Sequence, residues 1–165
     1  MALFGRGLMP LARGAFQNGF SSAAASGIES VTVVGAGTLG TQVAFQTAIS
    51  GFQVTVLDVS AKALSGSKAI HEALAQSFIL RETGTQPQAR GWAQLTARPG
   101  NLDPETLASR ALERITYTTS AQEAMQGCDL VSENVPEVPE IKEATYRSLK
   151  EFAAEHTIFT TNSST

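Results

Sequence analysis

Residues 30–58 read SVTVVGAGTLGTQVAFQTAISGFQVTVLD, and this stretch decides the fold. Val31, Val33 and Val34 form a β-branched run that is typical of a buried strand in a parallel sheet. A second run of the same kind, Gln53–Leu57, follows after a segment with helical spacing. A strand, a helix and a second strand in this order predict one parallel βαβ unit.

The turn after the first strand has its glycines in the G-x-G-x-x-G spacing, at Gly35, Gly37 and Gly40. The first glycine permits a tight turn, the second lets a pyrophosphate approach the backbone, and the third allows close packing of the next helix. Thr38 and Leu39 begin that helix, and its free N–H groups would face the phosphates. We therefore predict that residues 35, 37, 38, 39 and 40 bind a dinucleotide. The alternative is a turn that uses its glycines for geometry alone.

Asp58 ends the second strand, 18 residues after Gly40. A carboxylate at about this distance, roughly 20 residues, accepts hydrogen bonds from both hydroxyls of a cofactor ribose. It would also repel the 2′-phosphate of NADP. The sequence therefore favours NAD as the cofactor.

Strands and helices alternate along the rest of the chain, which predicts an α/β fold, a Rossmann-type doubly wound parallel sheet. A helix is expected over about residues 61–79, with an apolar face of Leu64, Ile70, Leu74 and Phe78. Residues 82–101 are rich in Gly, Pro and Gln and predict an irregular excursion. Further strands are expected at 115–119, 129–133 and 157–161. A helix from about Glu140 would bury Ile141, Thr145, Leu149 and Phe152.

Composition excludes several classes of function. The chain has 165 residues, a formal net charge of −3 and a single cysteine, Cys128, which we expect to be a small core residue. The charge gives no reason to expect nucleic-acid binding, and no apolar run is long enough to span a membrane. We predict no metal site.

The first 27 residues differ from the rest. They hold Arg6 and Arg13 but no acid, and a run of Ser and Ala follows their apolar residues. An Arg-bearing, Ser-containing and acid-free leader is typical of an organellar transit peptide. The interpretation is a leader at 1–27, removed on import into the mitochondrial matrix, before a cofactor domain at 28–165. The alternative is a tail without such a role on a cytoplasmic protein.

The later sequence resembles a known family. Residues 115–120 read ITYTTS, residues 129–137 read DLVSENVPE, and residues 150–165 read KEFAAEHTIFTTNSST. With the glycine turn and Asp58, these blocks resemble the 3-hydroxyacyl-CoA dehydrogenases, and residues 152–159 look like the mitochondrial short-chain enzymes. The resemblance covers about residues 28–165, which is only the N-terminal NAD-binding domain of the family, as far as the Asn-Ser-Ser turn.

The resemblance implies an activity and further site residues. Family members oxidise the 3-hydroxyl of an acyl-CoA with NAD in fatty-acid β-oxidation. By position, Glu137 and Lys142 match residues that contact the nicotinamide-side ribose, and Asn162 begins the active-site turn and is assigned to the cofactor. Ser164 matches the serine that hydrogen-bonds the 3-oxygen of the substrate. The implied partner is acyl-CoA, and a homodimer is expected only for the full-length architecture of the family.

One departure from the family leaves alternatives open. The family's catalytic His–Glu pair and its C-terminal helical domain follow the Asn-Ser-Ser turn and are absent here, so the 165-residue chain alone is expected to be inactive. His156 precedes the last strand, at the wrong end for a catalytic base. The alternative is a non-catalytic NAD-binding module or a remnant. A dehydrogenase of another small hydroxy compound is a third possibility, against which the block at 133–137 argues.

Overall fold

The computed structural model describes residues 27–84 and 102–162. The predicted leader, most of the excursion (residues 85–101) and Ser164 lie outside these residues. The described elements are, in chain order, β1 Ser30–Val34, α1 Thr38–Ile49, β2 Gln53–Leu57, α2 Ala61–Glu82, α3 Pro104–Glu113, β3 Ile115–Thr118, α4 Ala121–Ala124, β4 Leu130–Glu133, α5 Pro139–Lys150 and β5 Ile158–Thr161. Among them, no helix has the length and apolar character that crossing a membrane requires.

The five described strands form one parallel sheet in the order β3-β2-β1-β4-β5. In the centre, Val33 is paired with Val56 of β2 on one side and with Ser132 of β4 on the other. The chain first adds β2 and β3 on one side of β1. It then crosses over and adds β4 and β5 on the other side. Open α/β sheets bind ligands beyond the carboxyl ends of the strands at such a reversal. The predicted Rossmann-type fold is confirmed, and its crevice lies between the ends of β1 and β4.

Alternate residues of β1 point to opposite faces of the sheet, and each face has its own core. Val33 belongs to a cluster with residues of α1, α2 and α3, such as Ala44 and Ala111. Val34 belongs to a second cluster with α4 and α5, which includes the fully buried Cys128. Burial of a valine or leucine side chain stabilises the fold by about 1.5–3 kcal/mol. The two cores therefore cover the sheet on both faces.

Helix ends follow local capping rules. Asp103 accepts a hydrogen bond from the N–H of Thr106 at 2.8 Å, and Pro104 occupies the first helical position of α3. Ser60 and Ser120 cap α2 and α4 in the same way. A side-chain acceptor at this position satisfies an N–H group that has no partner within the helix. The start of α2 at Ala61 agrees with the helix expected from about residue 61.

Two predicted helix faces are partly wrong. α2 continues to Glu82, and it buries His71 rather than Ile70, whose side chain is exposed. In α5 and the turn after it, Leu149 is buried, but Ile141 and Phe152 are exposed. In each case the helical spacing of apolar residues suggested the face, whereas burial depends on what packs over the helix.

Candidate cofactor-binding site

The glycine turn joins β1 to α1, and the structural reason for a glycine differs among its three positions. Gly35 has a φ of +101°, and a Cβ there would come within 2.7 Å of the carbonyl oxygen of Asn134. A Cβ on Gly40 would overlap the carbonyl oxygen of Gly35, so only glycine lets α1 start this close to the turn. Gly37 is different, because a Cβ there would meet nothing within 4 Å. Its surroundings are open, as a turn that receives a phosphate group requires.

Thr38 and Leu39 form the first turn of α1, directly after Gly37. The first N–H groups of a helix lack partners within the helix and carry the positive end of its dipole. This end of α1 lies at the carboxyl end of β1. It can therefore accept an anion such as a pyrophosphate.

Asp58 lies at the carboxyl end of β2 and is tied to the glycine turn. Its Oδ2 accepts a hydrogen bond from the N–H of Ala36 at 2.8 Å, and its Oδ1 accepts one from the N–H of Ser60 at 2.8 Å. The half-buried carboxylate is thereby oriented by backbone groups on both sides. A carboxylate has about four acceptor positions, so free ones remain for a diol.

Glu133 ends β4 on the other side of the crevice, and its side chain is only 1 % exposed. Oε1 accepts a hydrogen bond from the N–H of Val135 at 2.8 Å. Oε2 accepts one from the hydroxyl of Thr161 at 2.7 Å and one from Nζ of Lys142 at 3.0 Å. Glu133 was not among the site residues predicted from the sequence. The signal available in the sequence was an acid at the last position of a predicted strand.

Lys142 lies near the start of α5, between two acids. Its Nζ is 3.0 Å from Oε2 of Glu133 and 3.1 Å from Oε2 of Glu137. It also donates to the hydroxyl oxygen of Thr161 at 3.3 Å. The predicted residues Glu137 and Lys142 are therefore in direct contact, on one side of the crevice.

Charge pairing shifts the pKa values of this group. Burial acts to raise the pKa of Glu133, but hydrogen bonds from Thr161, Lys142 and Val135 outweigh it and lower the pKa below its ordinary value. Burial acts to lower the pKa of Lys142, and the contacts with Glu133 and Glu137 raise it above its ordinary value instead. Glu133 is thus ionised and Lys142 protonated at neutral pH.

Asn162 connects the ends of β4 and β5. Its N–H donates to the carbonyl oxygen of Glu133 at 3.1 Å, and its Nδ2 donates to Oδ1 of Asn134 at 3.1 Å. Asn134 is the residue whose carbonyl oxygen limits the space at Gly35. The predicted residues thus form two groups, the glycine turn with Asp58 and the Glu137–Lys142 pair with Asn162. Asn134 links them across the crevice.

Neither histidine of the chain lies at this crevice. His71 is fully buried under α1, where its Nε2 donates to the carbonyl oxygen of Thr41 at 2.8 Å and its Nδ1 lies 2.6 Å from the hydroxyl of Tyr117. His156 contacts Asp129, and that aspartate accepts hydrogen bonds from the N–H groups of Glu29 and Ser30 at the start of β1. It therefore lies at the amino edge of the sheet, as the sequence predicted.

The arrangement can hold a dinucleotide. A helix start beside an open glycine can take a pyrophosphate, Asp58 can take one ribose, and Glu137 with Lys142 offers an acceptor and a donor for the other. The free space at Gly37 is the observation that fits the group best, because it is the place where the cofactor must approach the backbone. NAD matches these residues in charge and in hydrogen-bonding character.

Comparison with known proteins identifies the same kind of domain. A family model described as 3-hydroxyacyl-CoA dehydrogenase, NAD binding domain, matches residues 30–165. The mitochondrial hydroxyacyl-coenzyme A dehydrogenase of Sus scrofa is 29% identical over 148 residues, which cover 87% of this chain and 43% of that protein.

Two solved structures have a similar fold. A diketoreductase structure, described by its action on dicarbonyl compounds, has a TM-score of 0.65 and 38% identity, with 84% of this chain and 42% of that chain covered. The 3-hydroxybutyryl-CoA dehydrogenase of Escherichia coli K12 has a TM-score of 0.65 and 30% identity, with 83% and 25% covered. The chain spans less than half the length of these relatives.

Proposed function

This chain belongs to the 3-hydroxyacyl-CoA dehydrogenase family, and we propose that it binds NAD across the β1–β4 crevice to serve oxidation of the 3-hydroxyl of an acyl-CoA. The observation that carries the proposal is the pair of groups on the two sides of that crevice. Asp58 is held on the glycine turn, and Lys142 is held between Glu133 and Glu137. Two ribose-binding groups with a phosphate-binding turn between them suit a dinucleotide and not a mononucleotide.

The proposed roles follow the order of groups along the cofactor. The N–H groups of Gly37, Thr38, Leu39 and Gly40 bind the pyrophosphate. Gly35 shapes the turn that presents them, since its own N–H donates to the carbonyl oxygen of Leu57 at 2.8 Å. Asp58 accepts hydrogen bonds from the adenosine ribose, and its charge disfavours the extra phosphate of NADP. Glu137, Lys142 and Asn162 contact the nicotinamide half.

The chemistry is a hydride transfer, for which bound NAD supplies the acceptor carbon. This chain's residues bind and orient the cofactor so that one face of its nicotinamide meets the substrate. Ser164 donates a hydrogen bond to the 3-oxygen of the acyl-CoA. Since His71 and His156 both lie away from the crevice, we propose that the base accepting the hydroxyl proton belongs to the part of the family's architecture that this chain does not span.

Fluorescence titration of the 165-residue chain with NADH and with NADPH tests the cofactor assignment. We expect NADH to bind and NADPH to bind more weakly. Binding of neither cofactor by the folded chain would contradict the proposal. Tighter binding of NADPH would contradict the role of Asp58.

Localisation is part of the proposal. The acid-free leader at 1–27 and the mitochondrial relatives support import into the mitochondrial matrix, rather than a cytoplasmic location. Within an architecture of the relatives' full length we further propose a homodimer. Residues 28–165 would form its cofactor domain.

A second substrate class deserves a test because the diketoreductase structure has 38% sequence identity to this chain. That protein is described by its action on dicarbonyl compounds, so a diketone without coenzyme A is an alternative ligand. Adding acetoacetyl-CoA or a free diketone to the NADH-bound chain separates the two. Enhanced NADH binding by acetoacetyl-CoA alone supports the acyl-CoA substrate.

A further inference from the structure

The two carboxylates around Lys142 are not equivalent. Glu133 and Glu137 lie at nearly equal distances from Nζ, 3.0 and 3.1 Å. Their side chains differ in exposure, which is 1 % for Glu133 and 55 % for Glu137. A buried carboxylate that loses its cation stays without compensation, whereas an exposed one is rehydrated by solvent. Glu137 therefore releases Lys142 far more easily than Glu133 does.

Further contacts fix the buried carboxylate in place. Oε2 of Glu133 accepts the hydroxyl of Thr161 and lies 3.4 Å from the hydroxyl of Tyr146, while Oε1 accepts the N–H of Val135. These partners belong to β5, to α5 and to the turn after β4. Any rotation of the carboxylate would break hydrogen bonds to several elements at once.

The ammonium group of Lys142 has three protons, and each has an acceptor in the free protein. These acceptors are Glu133, Glu137 and the hydroxyl oxygen of Thr161. A new acceptor, such as a ribose hydroxyl, must therefore displace one of the three. Glu137 and Thr161 are both exposed, but the hydroxyl of Thr161 also donates to Glu133 at 2.7 Å. Displacement at Glu137, in the turn before α5, therefore leaves the contacts of the buried carboxylate intact.

We propose that Glu133 is a positioning residue that holds Lys142 while a ribose hydroxyl of the bound cofactor replaces Glu137 as its third partner. The displaced carboxylate of Glu137 then accepts a hydrogen bond from the same sugar. This inference rests on the proposed function, because it assumes that Lys142 and Glu137 meet the nicotinamide-side ribose. It separates a permanent contact from an exchangeable one within the same cluster.

The first test measures the lysine without cofactor. NMR of the full chain with 13C-labelled lysine follows the Cε signals of its four lysines through a pH titration, and Lys142→Arg assigns the signal. We expect Glu133→Gln to lower the pKa of Lys142 more than Glu137→Gln does. Glu143→Gln, a matched change on the exposed side of α5, should leave it unaltered. An equal or smaller effect of Glu133→Gln overturns the proposal.

The second test is a double-mutant cycle read out by NADH affinity. Lys142→Met should weaken NADH binding about tenfold in the wild-type background, the scale of one hydrogen bond from a charged donor. In the Glu133→Gln background, where the lysine is no longer held, the same change should have about twofold effect or less. Equal losses in the two backgrounds overturn the positioning role.

The two tests also separate this inference from the function on which it rests. If Lys142→Met binds NADH as well as wild type while the pKa result holds, the cluster is real but the assignment of Lys142 to the cofactor is wrong. If Glu133→Gln does not fold, Glu133→Asp serves both measurements, because it keeps the charge and withdraws it from Lys142 by one methylene. A pKa of Lys142 unchanged in that variant contradicts the proposal.

Discussion

Asp58 accepts a hydrogen bond at 2.8 Å from the backbone N–H of Ala36, a residue 22 positions earlier in the chain. The contact ties the end of β2 to the glycine turn after β1. It fixes the distance between the acid proposed to bind a ribose and the turn proposed to bind the pyrophosphate. Such preorganisation reduces the entropy that binding must overcome.

We predict that Asp58→Ala weakens NADH binding by about 1.5–3 kcal/mol, the scale of losing hydrogen bonds to a charged acceptor. The preference for NADH over NADPH should fall as well, because the repulsive charge is gone. Parallel titrations with both reduced cofactors measure the two effects. Glu143→Gln, which removes an exposed acid of α5 paired with Arg147 of the same helix, is the control for a lost surface charge. An unchanged ratio of the two affinities would show that Asp58 does not select the cofactor.

Two glycines give a matched pair for the glycine turn. Gly40→Ala would force a methyl group into the carbonyl of Gly35 and should destabilise the fold by about 1–3 kcal/mol and abolish NADH binding. Gly66→Ala, in the middle of α2 with nothing within 4 Å of the new Cβ, should stabilise it by about 0.5–1 kcal/mol. Urea unfolding and NADH titration of both variants check this. Normal NADH binding by Gly40→Ala would show that cofactor binding does not require a glycine at this position.

The glycine turn and Asp58 could be predicted because their signals are local. A strand pattern, three glycines and an acid at a fixed spacing depend on few distant contacts. Asp103 followed by Pro104 is a local signal of the same kind, because these residue types favour the N-cap and the first position of a helix. Their placement in the structure agrees with the sequence in each case.

Glu133 could not be assigned in this way, because its partners are scattered. Lys142, Tyr146 and Thr161 follow it by 9, 13 and 28 residues and meet only when β4, α5 and β5 come together. The exposed face of α5 has a similar cause. Helical spacing identifies which residues share a face, but the described residues bury that face only at Leu149.

His71 should make stability depend on pH near neutrality. Burial lowers its pKa below the ordinary 6.5, and the hydrogen bond to Thr41 offsets this only in part. As the pH drops below 6.5, His71 is protonated in the unfolded chain but stays neutral in the folded chain. The free energy of unfolding therefore falls over this range. The lowered carboxyl pKa values of Asp129 and Glu133 matter only at more acidic pH, below 3.8 and 4.5.

Urea unfolding between about pH 5 and pH 7.5 measures this slope. The chain has two histidines, so His156→Gln leaves His71 as the only one. The dependence of the unfolding free energy on pH should persist in that variant. His71→Gln should remove it, and Tyr117→Phe, which loses the hydroxyl beside Nδ1, should lower stability at all pH values. A slope that survives in His71→Gln would mean that other groups cause it.

The leader prediction can be tested apart from the domain. Residues 1–27 fused to a fluorescent protein should direct it to mitochondria, because the segment is basic and free of acids. Replacing Arg6 and Arg13 by Glu should abolish import, since the positive charge is then reversed. Diffuse cytosolic fluorescence of the unaltered fusion would refute the targeting role.

The last prediction is that the 165-residue chain binds NADH but does not transfer hydride. The residues proposed for the cofactor, from Gly35 to Asn162, lie around one crevice in the structure, whereas His71 is in the core and His156 is at the opposite edge of the sheet. A positioned general base contributes about 10²–10⁴-fold to rate. The chain also spans less than half of its relatives, so groups that orient the acyl chain are expected elsewhere, and orientation contributes several kcal/mol more. Reduction of acetoacetyl-CoA followed by NADH absorbance measures turnover. Rates in the ordinary range of roughly 1–10³ per second would show that these residues suffice for catalysis, and that the base must be sought among them.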